Sequence, residues 1–161
     1  MTDIKAVAVS SIDADVVSGV AQFLAPVVVD LTALGVDGKQ AHWHVRGANF
    51  QAVHELLDTI VDHAHDYADT AAERVVALGL PLDVRIQTVG AKTTTPALAA
   101  GFQQSNDTIA QVIASIDATL VTVRTAVDEL GPIDPVSQDV AIEIARGLEK
   151  DRWFLFAHLA G

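Results

Sequence analysis

Cysteine is absent from this chain of 161 residues. Disulfides, thiolate nucleophiles and zinc–thiolate clusters are therefore excluded. Aromatic residues make up only 5%, so packing must come from small and aliphatic side chains, which favours helices over a β-sandwich. Basic residues are also scarce: Lys and Arg number 10 against 21 Asp and Glu, a formal net charge of −11. Such a chain repels nucleic acid wherever no local basic patch forms, and it suits a protein that attracts metal cations. Residues 1–11 hold no long apolar core and read as a short flexible tail, not a signal peptide. No run reads as long and apolar enough to cross a bilayer, which takes about 20 residues. A cytoplasmic protein with no membrane association is the expectation.

What the chain does have is apolar surface. Half of its residues are hydrophobic, enough for one sizeable core, and the length suits a single domain spanning residues 1–161. From Ile12 the apolar side chains recur at helical spacing (Val16, Val20, Phe23, Leu24, Val27, Leu31, Leu34), which predicts a first long helix over about 12–45, with Pro26 inside it. Gly47 and Ala48 make a turn, with Asn49 as the cap of a second helix that ends before Gly79 and Pro81. Residues 81–96 form a connector too long for a hairpin, with a short helix over 83–89. A third helix is predicted over 96–130 and a fourth over 136–159, separated by Gly131, Pro132 and Pro135. There is no internal repeat. The pattern is all-α: a ferritin-like four-helix bundle with a short helix in the long connection between helices 2 and 3.

Histidine and carboxylate gather in one stretch of that sequence. His54 and Asp58 are four apart, as are Asp69 and Glu73, so each pair shares one helical face. The 11 steps from Asp58 to Asp69 are close to three turns, and the two pairs point to roughly one side. Along the axis they are separated by roughly 16 Å at ~1.5 Å per residue, against metal–ligand bonds of ~2 Å. One chain cannot close both pairs around one ion. Either they are independent half-sites, or a second helix brings the missing half. A two-fold pairing of this helix with its copy, antiparallel, sets His54 and Asp58 of one chain against the Asp69/Glu73 pair of the other and makes two equivalent sites. His42, near the end of the first helix, can add a second imidazole. A sulfur-free His/carboxylate set suits Fe(II), Zn(II) or Mn(II). The Glu-x-x-His pairs of an intra-bundle di-iron site are absent, which favours the intersubunit arrangement.

Residues 39–79, KQAHWHVRGANFQAVHELLDTIVDHAHDYADTAAERVVALG, closely resemble the Dps family (DNA-binding proteins from starved cells). The run HW-x-V-x-G-x-NF-x-x-x-H-x-x-x-D, followed by D-x-x-AER, carries the likeness. The resemblance implies a homo-oligomeric shell of twelve subunits and an intersubunit ferroxidase site. His42, His54 and Asp58 of one subunit, with Asp69 and Glu73 of its two-fold partner, would oxidise Fe(II), preferably with hydrogen peroxide and otherwise with O2. Iron would be stored as ferric mineral, protecting against oxidative damage. Trp43 matches a family tryptophan beside the site, and Trp153 another in the last helix. Residues 134–139 (DPVSQD) resemble an acidic segment lining three-fold pores, so that Asp134, Asp139 and Glu143 would guide Fe(II) inward; N-capping is the competing role for Asp134 and Asp139. Two departures stand out. The start of the chain carries only Lys5 against Asp3, Asp13 and Asp15, so direct DNA binding is doubtful. His44 and the His63/His65 pair are additional imidazoles, and His65 shares the ligand face as a candidate extra metal ligand. The alternatives to iron storage are a DNA-compacting structural protein, read from salt-dependent DNA retardation, and a metal-dependent amide hydrolase using Zn(II)-activated water.

Overall fold

The structure is a computed structural model and describes residues 11–159. The expected tail, apart from Ser11, lies outside the described residues, as do Ala160 and Gly161. The element order is α1 (Ala14–His44), β1 (Val45–Arg46), α2 (Phe50–Ala77), α3 (Ile86–Lys92), β2 (Gln103–Gln104), α4 (Ser105–Leu130) and α5 (Pro135–Ala157). Asp13 caps α1 through its side chain, which accepts from the Asp15 amide at 2.8 Å. Pro26 sits within α1 without ending it. The four long helices close around one apolar core, where Leu24, Leu31, Leu34, Leu57, Ile60, Ile109, Ile116, Leu130, Ile144 and Leu148 are all fully buried. Each such side chain contributes about 1.5–3 kcal/mol. The short strands β1 and β2 pair in parallel, Val45 opposite Gln103, and so fasten the α1–α2 turn to the end of the connector.

The ferritin-like all-α bundle with a short connector helix is as the sequence predicts; several boundaries are not. The third long helix begins at Ser105, not near residue 96. Thr93 and Thr94 are drawn instead onto Asp30, a carboxylate only 1% exposed in the middle of α1. The Thr93 hydroxyl donates to it at 2.9 Å, the Thr94 amide and hydroxyl each at 2.7 Å, and the Thr122 hydroxyl of α4 at 2.7 Å. The connector helix starts at Ile86, later than predicted, because Asp83 holds the Arg85 guanidinium with two bonds of 2.8 Å and also accepts from its amide. Asn49 adopts a left-handed conformation, φ 60°, and makes no side-chain cap.

The expectation that no run is long and apolar enough to cross a bilayer is corrected. Ala14–His44 and Ser105–Leu130 both reach that length and composition, with mean hydropathy 1.7 and 1.3 over their most apolar stretches. In the bundle, 50% and 44% of those stretches are buried against the other helices. Their hydropathy is that of core helices, whose inner faces meet protein.

Candidate metal centre

The last turn of α1 and the first turns of α2 are held together by two imidazoles. The His42 ring is buried, and its Nδ1–H donates to the His54 carbonyl at 2.8 Å; the His54 Nδ1–H donates to the His42 carbonyl at 2.9 Å. A carbonyl oxygen can only accept, so each Nδ1 carries a proton, and in the neutral imidazole the Nε2 lone pair is then the one that can bind a metal ion. The rings stack with centroids 3.6 Å apart and 21° between planes, and Phe50 lies 5.2 Å from the His54 ring. Such an approach of two helices requires small residues upstream. Gly38 faces Val61, where an added Cβ would lie 2.9 Å from a Val61 methyl, and at Gly35 it would lie 2.7 Å from the His65 ring.

Asp58 lies one turn beyond His54 on α2. Its Oδ1 is 3.7 Å from His42 Nδ1 and is in contact with the ammonium of Lys39. The hydrogen bond from Lys39 is the chief reason the Asp58 carboxyl is held below the usual carboxylate range. Asp69 and Glu73 stand farther along α2, exposed to solvent. Among the described residues, no three His, Asp or Glu side chains of one chain converge to hold an ion. The structure thus pairs His42 with His54, sets Asp58 against Lys39 and 3.7 Å from His42 Nδ1, and leaves Asp69 and Glu73 apart. Trp43 is 62% exposed and lines a groove with Val36, Lys39, Gln40 and His65.

The remaining histidines are placed otherwise. His65 lies across Gly35 and, among the described residues, belongs to no group of three His, Asp or Glu that could hold an ion. His44 donates from Nδ1 to the Gln40 carbonyl at 2.8 Å and sits 5.4 Å from the Phe102 ring. His63 donates to both oxygens of Asp151 at 3.0 Å. Burial pushes the Asp151 carboxyl above its usual value, even with that imidazole beside it.

Of the acidic segment at the start of α5, Asp134 serves as the cap and is buried. It accepts from the Ser137 amide at 3.1 Å and from the Arg74 guanidinium at 2.7 Å. Burial alone would raise its pKa; the bonds from Ser137 and Arg74 outweigh that and lower it. Asp139 and Glu143, four apart on α5, are exposed. Two residues had passed unnoticed in the sequence. Lys39 lies three before His42, hence on its helical face, and Asp30 is the single charge within residues 16–35; those were the signals that could have found them.

A four-helix bundle with its imidazole–carboxylate set on the first two helices defines a ferritin-like protein, and the family model "Ferritin-like domain" matches residues 27–161. Within that class the chain belongs to the Dps family of miniferritins. It is 35% identical to the DNA protection during starvation protein of Agrobacterium fabrum over 133 residues, 82% of this chain and 80% of the relative. Among solved structures, Dps from Microbacterium arborescens in the high iron form is 60% identical, covers 92% of this chain and 97% of its own, and superposes with a TM-score of 0.90. Dps from Mycobacterium smegmatis, tetragonal form, is 28% identical with a TM-score of 0.89, covering 98% of this chain and 96% of its own. The family serves generally in iron storage and DNA protection.

Proposed function

We propose that this chain is a ferroxidase subunit of a homo-oligomeric shell that oxidises Fe(II) and stores it as ferric mineral. The observation that carries this reading is the reciprocal imidazole–carbonyl pairing of His42 and His54, which holds both rings stacked through Nδ1 and leaves the Nε2 atoms out of those bonds as metal donors. Fe(II), the substrate, binds those nitrogens and the Asp58 carboxylate, and the Asp69/Glu73 pair of a two-fold related copy closes the site. The axial separation on α2, too great for one chain to close both pairs around one ion, supports that second copy. Hydrogen peroxide is the oxidant: two Fe(II) each give up one electron, the O–O bond breaks, and two protons are taken up to leave two waters. Carboxylates favour the harder ferric product. Trp43 stands beside the centre, and Asp139 and Glu143 supply an acidic approach for the cation. The high-iron form of the Microbacterium relative and the typical dodecamers of the family's structures support the reading.

Protection of DNA then follows from removing iron and peroxide more than from binding. Lys39, Arg74, Arg85, Arg124 and Arg152 each face a carboxylate, and the formal net charge of −11 opposes phosphate binding. The test is Fe(II) oxidation by metal-free protein, with oxygen or peroxide, followed by size-exclusion chromatography. Fast oxidation with iron co-eluting in a large shell is expected. Oxidation at the buffer rate, with precipitated iron, would refute the proposal and move zinc chemistry or a structural role to the front.

A further inference from the structure

The carboxylate pair near the end of α2 takes its direction from the backbone alone. Asp69 and Glu73 are exposed, and among the described residues neither side chain has a hydrogen-bond or ion-pair partner. The residue next to Glu73 is the opposite case. Arg74 reaches the start of α5, where its Nε donates to the Ser137 hydroxyl at 2.9 Å and its Nη2 to Asp134 at 2.7 Å. Ser137 is fully buried and donates its own hydroxyl proton to the same Asp134 oxygen at 2.5 Å. We propose that Arg74 is a positioning residue for iron oxidation. Its guanidinium fork, seated on Asp134 and Ser137, sets the rotation of the last turns of α2 and so aims Glu73, with Asp69 one turn behind it, at the imidazole pair of a second copy.

Three features of the molecule support this, on the reading that a two-fold related copy shares the site. The first is the fork. A planar guanidinium bound through two nitrogens to two acceptors fixes orientation as well as distance, which a single ammonium contact does not. The second is leverage. A side-chain carboxylate stands roughly 6 Å from the helix axis, so a rotation of about 10° moves it by about 1 Å, enough to spoil a ligand geometry. The third is place. α2 ends at Ala77, one turn beyond Glu73, and helix ends fray. Val75 and Leu78 are buried and hold this end against the core, but apolar burial has no direction. A further polar tie from α2 to α5, His63 with Asp151, lies about three turns back.

The measurement is titration of the assembled, metal-free protein with Co(II), a redox-stable probe read by its visible absorption, alongside thermal melts and peroxide-driven Fe(II) oxidation. Arg74→Lys keeps the charge opposite Asp134 and gives up the fork. It should melt close to wild type and bind Co(II) about ten-fold more weakly. The Fe(II) concentration at half-maximal rate should rise by a similar factor, with little change in the maximal rate. Ser137→Ala, which removes one seat of the fork, should act in the same direction and more weakly. In a Glu73→Ala background, Arg74→Lys should leave Co(II) affinity unchanged, because the ligand it aims is already gone. A clamp that serves stability alone would lower the melting temperature and leave Co(II) affinity unmoved, or lower it equally with and without Glu73. Either result overturns the role given to Arg74 while the metal centre stands. If Glu73→Ala by itself leaves Co(II) binding and Fe(II) oxidation as in wild type, the shared site is wrong and this inference falls with it.

Discussion

The two ends of α2 each carry two candidate metal ligands but are organised differently. Near its start, His54 is locked to α1 by reciprocal hydrogen bonds, and Asp58 is held by Lys39 of α1. Near its end, Asp69 and Glu73 project into solvent. That end is anchored through Arg74, which reaches Asp134 and Ser137 of α5. One end therefore has its donors pre-arranged by its own chain, and the other has only its backbone fixed. Organisation of the carboxylate pair is left to whatever packs against it, which is the expected division of labour when two copies share a site.

That contrast can be broken most directly at the ligands. Asp58→Ala and Glu73→Ala are each expected to lower Fe(II) oxidation by at least about hundred-fold, in line with the loss of a direct ligand. Shells co-assembled from the two variants should recover part of the rate, because some two-fold pairs then hold an intact site. Absence of any recovery would show that the two ends of α2 do not meet across an interface.

A smaller effect is expected from disturbing the pre-arranged end alone. Gly38→Ala places a methyl 2.9 Å from the buried Val61 side chain. Pushing α1 from α2 should cost about 1–3 kcal/mol in thermal unfolding and weaken Co(II) binding at the imidazole pair. Gly90→Ala, where an added Cβ meets nothing within 4 Å, should leave both unchanged or slightly improve stability. Equal behaviour of the two variants would remove the close helix approach as a cause of the imidazole geometry.

The smallest effect concerns the anchored end. Because Asp134 has a pKa below its unfolded value of about 3.9, its ionised form stabilises the fold at pH values above that. The contribution is lost as pH falls through the folded value. Asp134→Asn should thus be less stable than wild type near neutral pH, by about 1–2 kcal/mol from one charge-assisted bond, and converge with it in acid. Asp139→Asn should change stability by no more than about 0.5 kcal/mol and instead slow iron uptake. Unfolding curves that stay parallel down to low pH would mean that the Arg74–Asp134 pair contributes nothing to holding α2.

Much of this arrangement was legible in the chain. Helical spacing alone places His54 and Asp58 too far from Asp69 and Glu73 for one ion, and the end of α2 and the start of α5 fall close to where glycine and proline signal them. What escaped reading depends on partners distant in sequence. The start of α4 is displaced because Asp30 captures threonines 63 and 64 residues away, and His63 looks like a spare ligand until Asp151 is found 88 residues later. Hydropathy misled for a related reason: a core helix and a membrane helix have the same composition, and only packing distinguishes them.

The Asp30 cluster also bears on how the chain folds. Its bonds join α1 to the connector and to α4 across 63 to 92 residues, and closing loops of that size carries an entropic cost before any contact repays it. A carboxylate cannot be withdrawn from water into an apolar core until its hydrogen-bond donors have arrived. The most apolar helix of the molecule therefore keeps a hydrated charge at its midpoint until Thr93, Thr94 and Thr122 are in place. Collapse around α1 with the connector on the wrong side is penalised, and closure of the bundle becomes a single cooperative event.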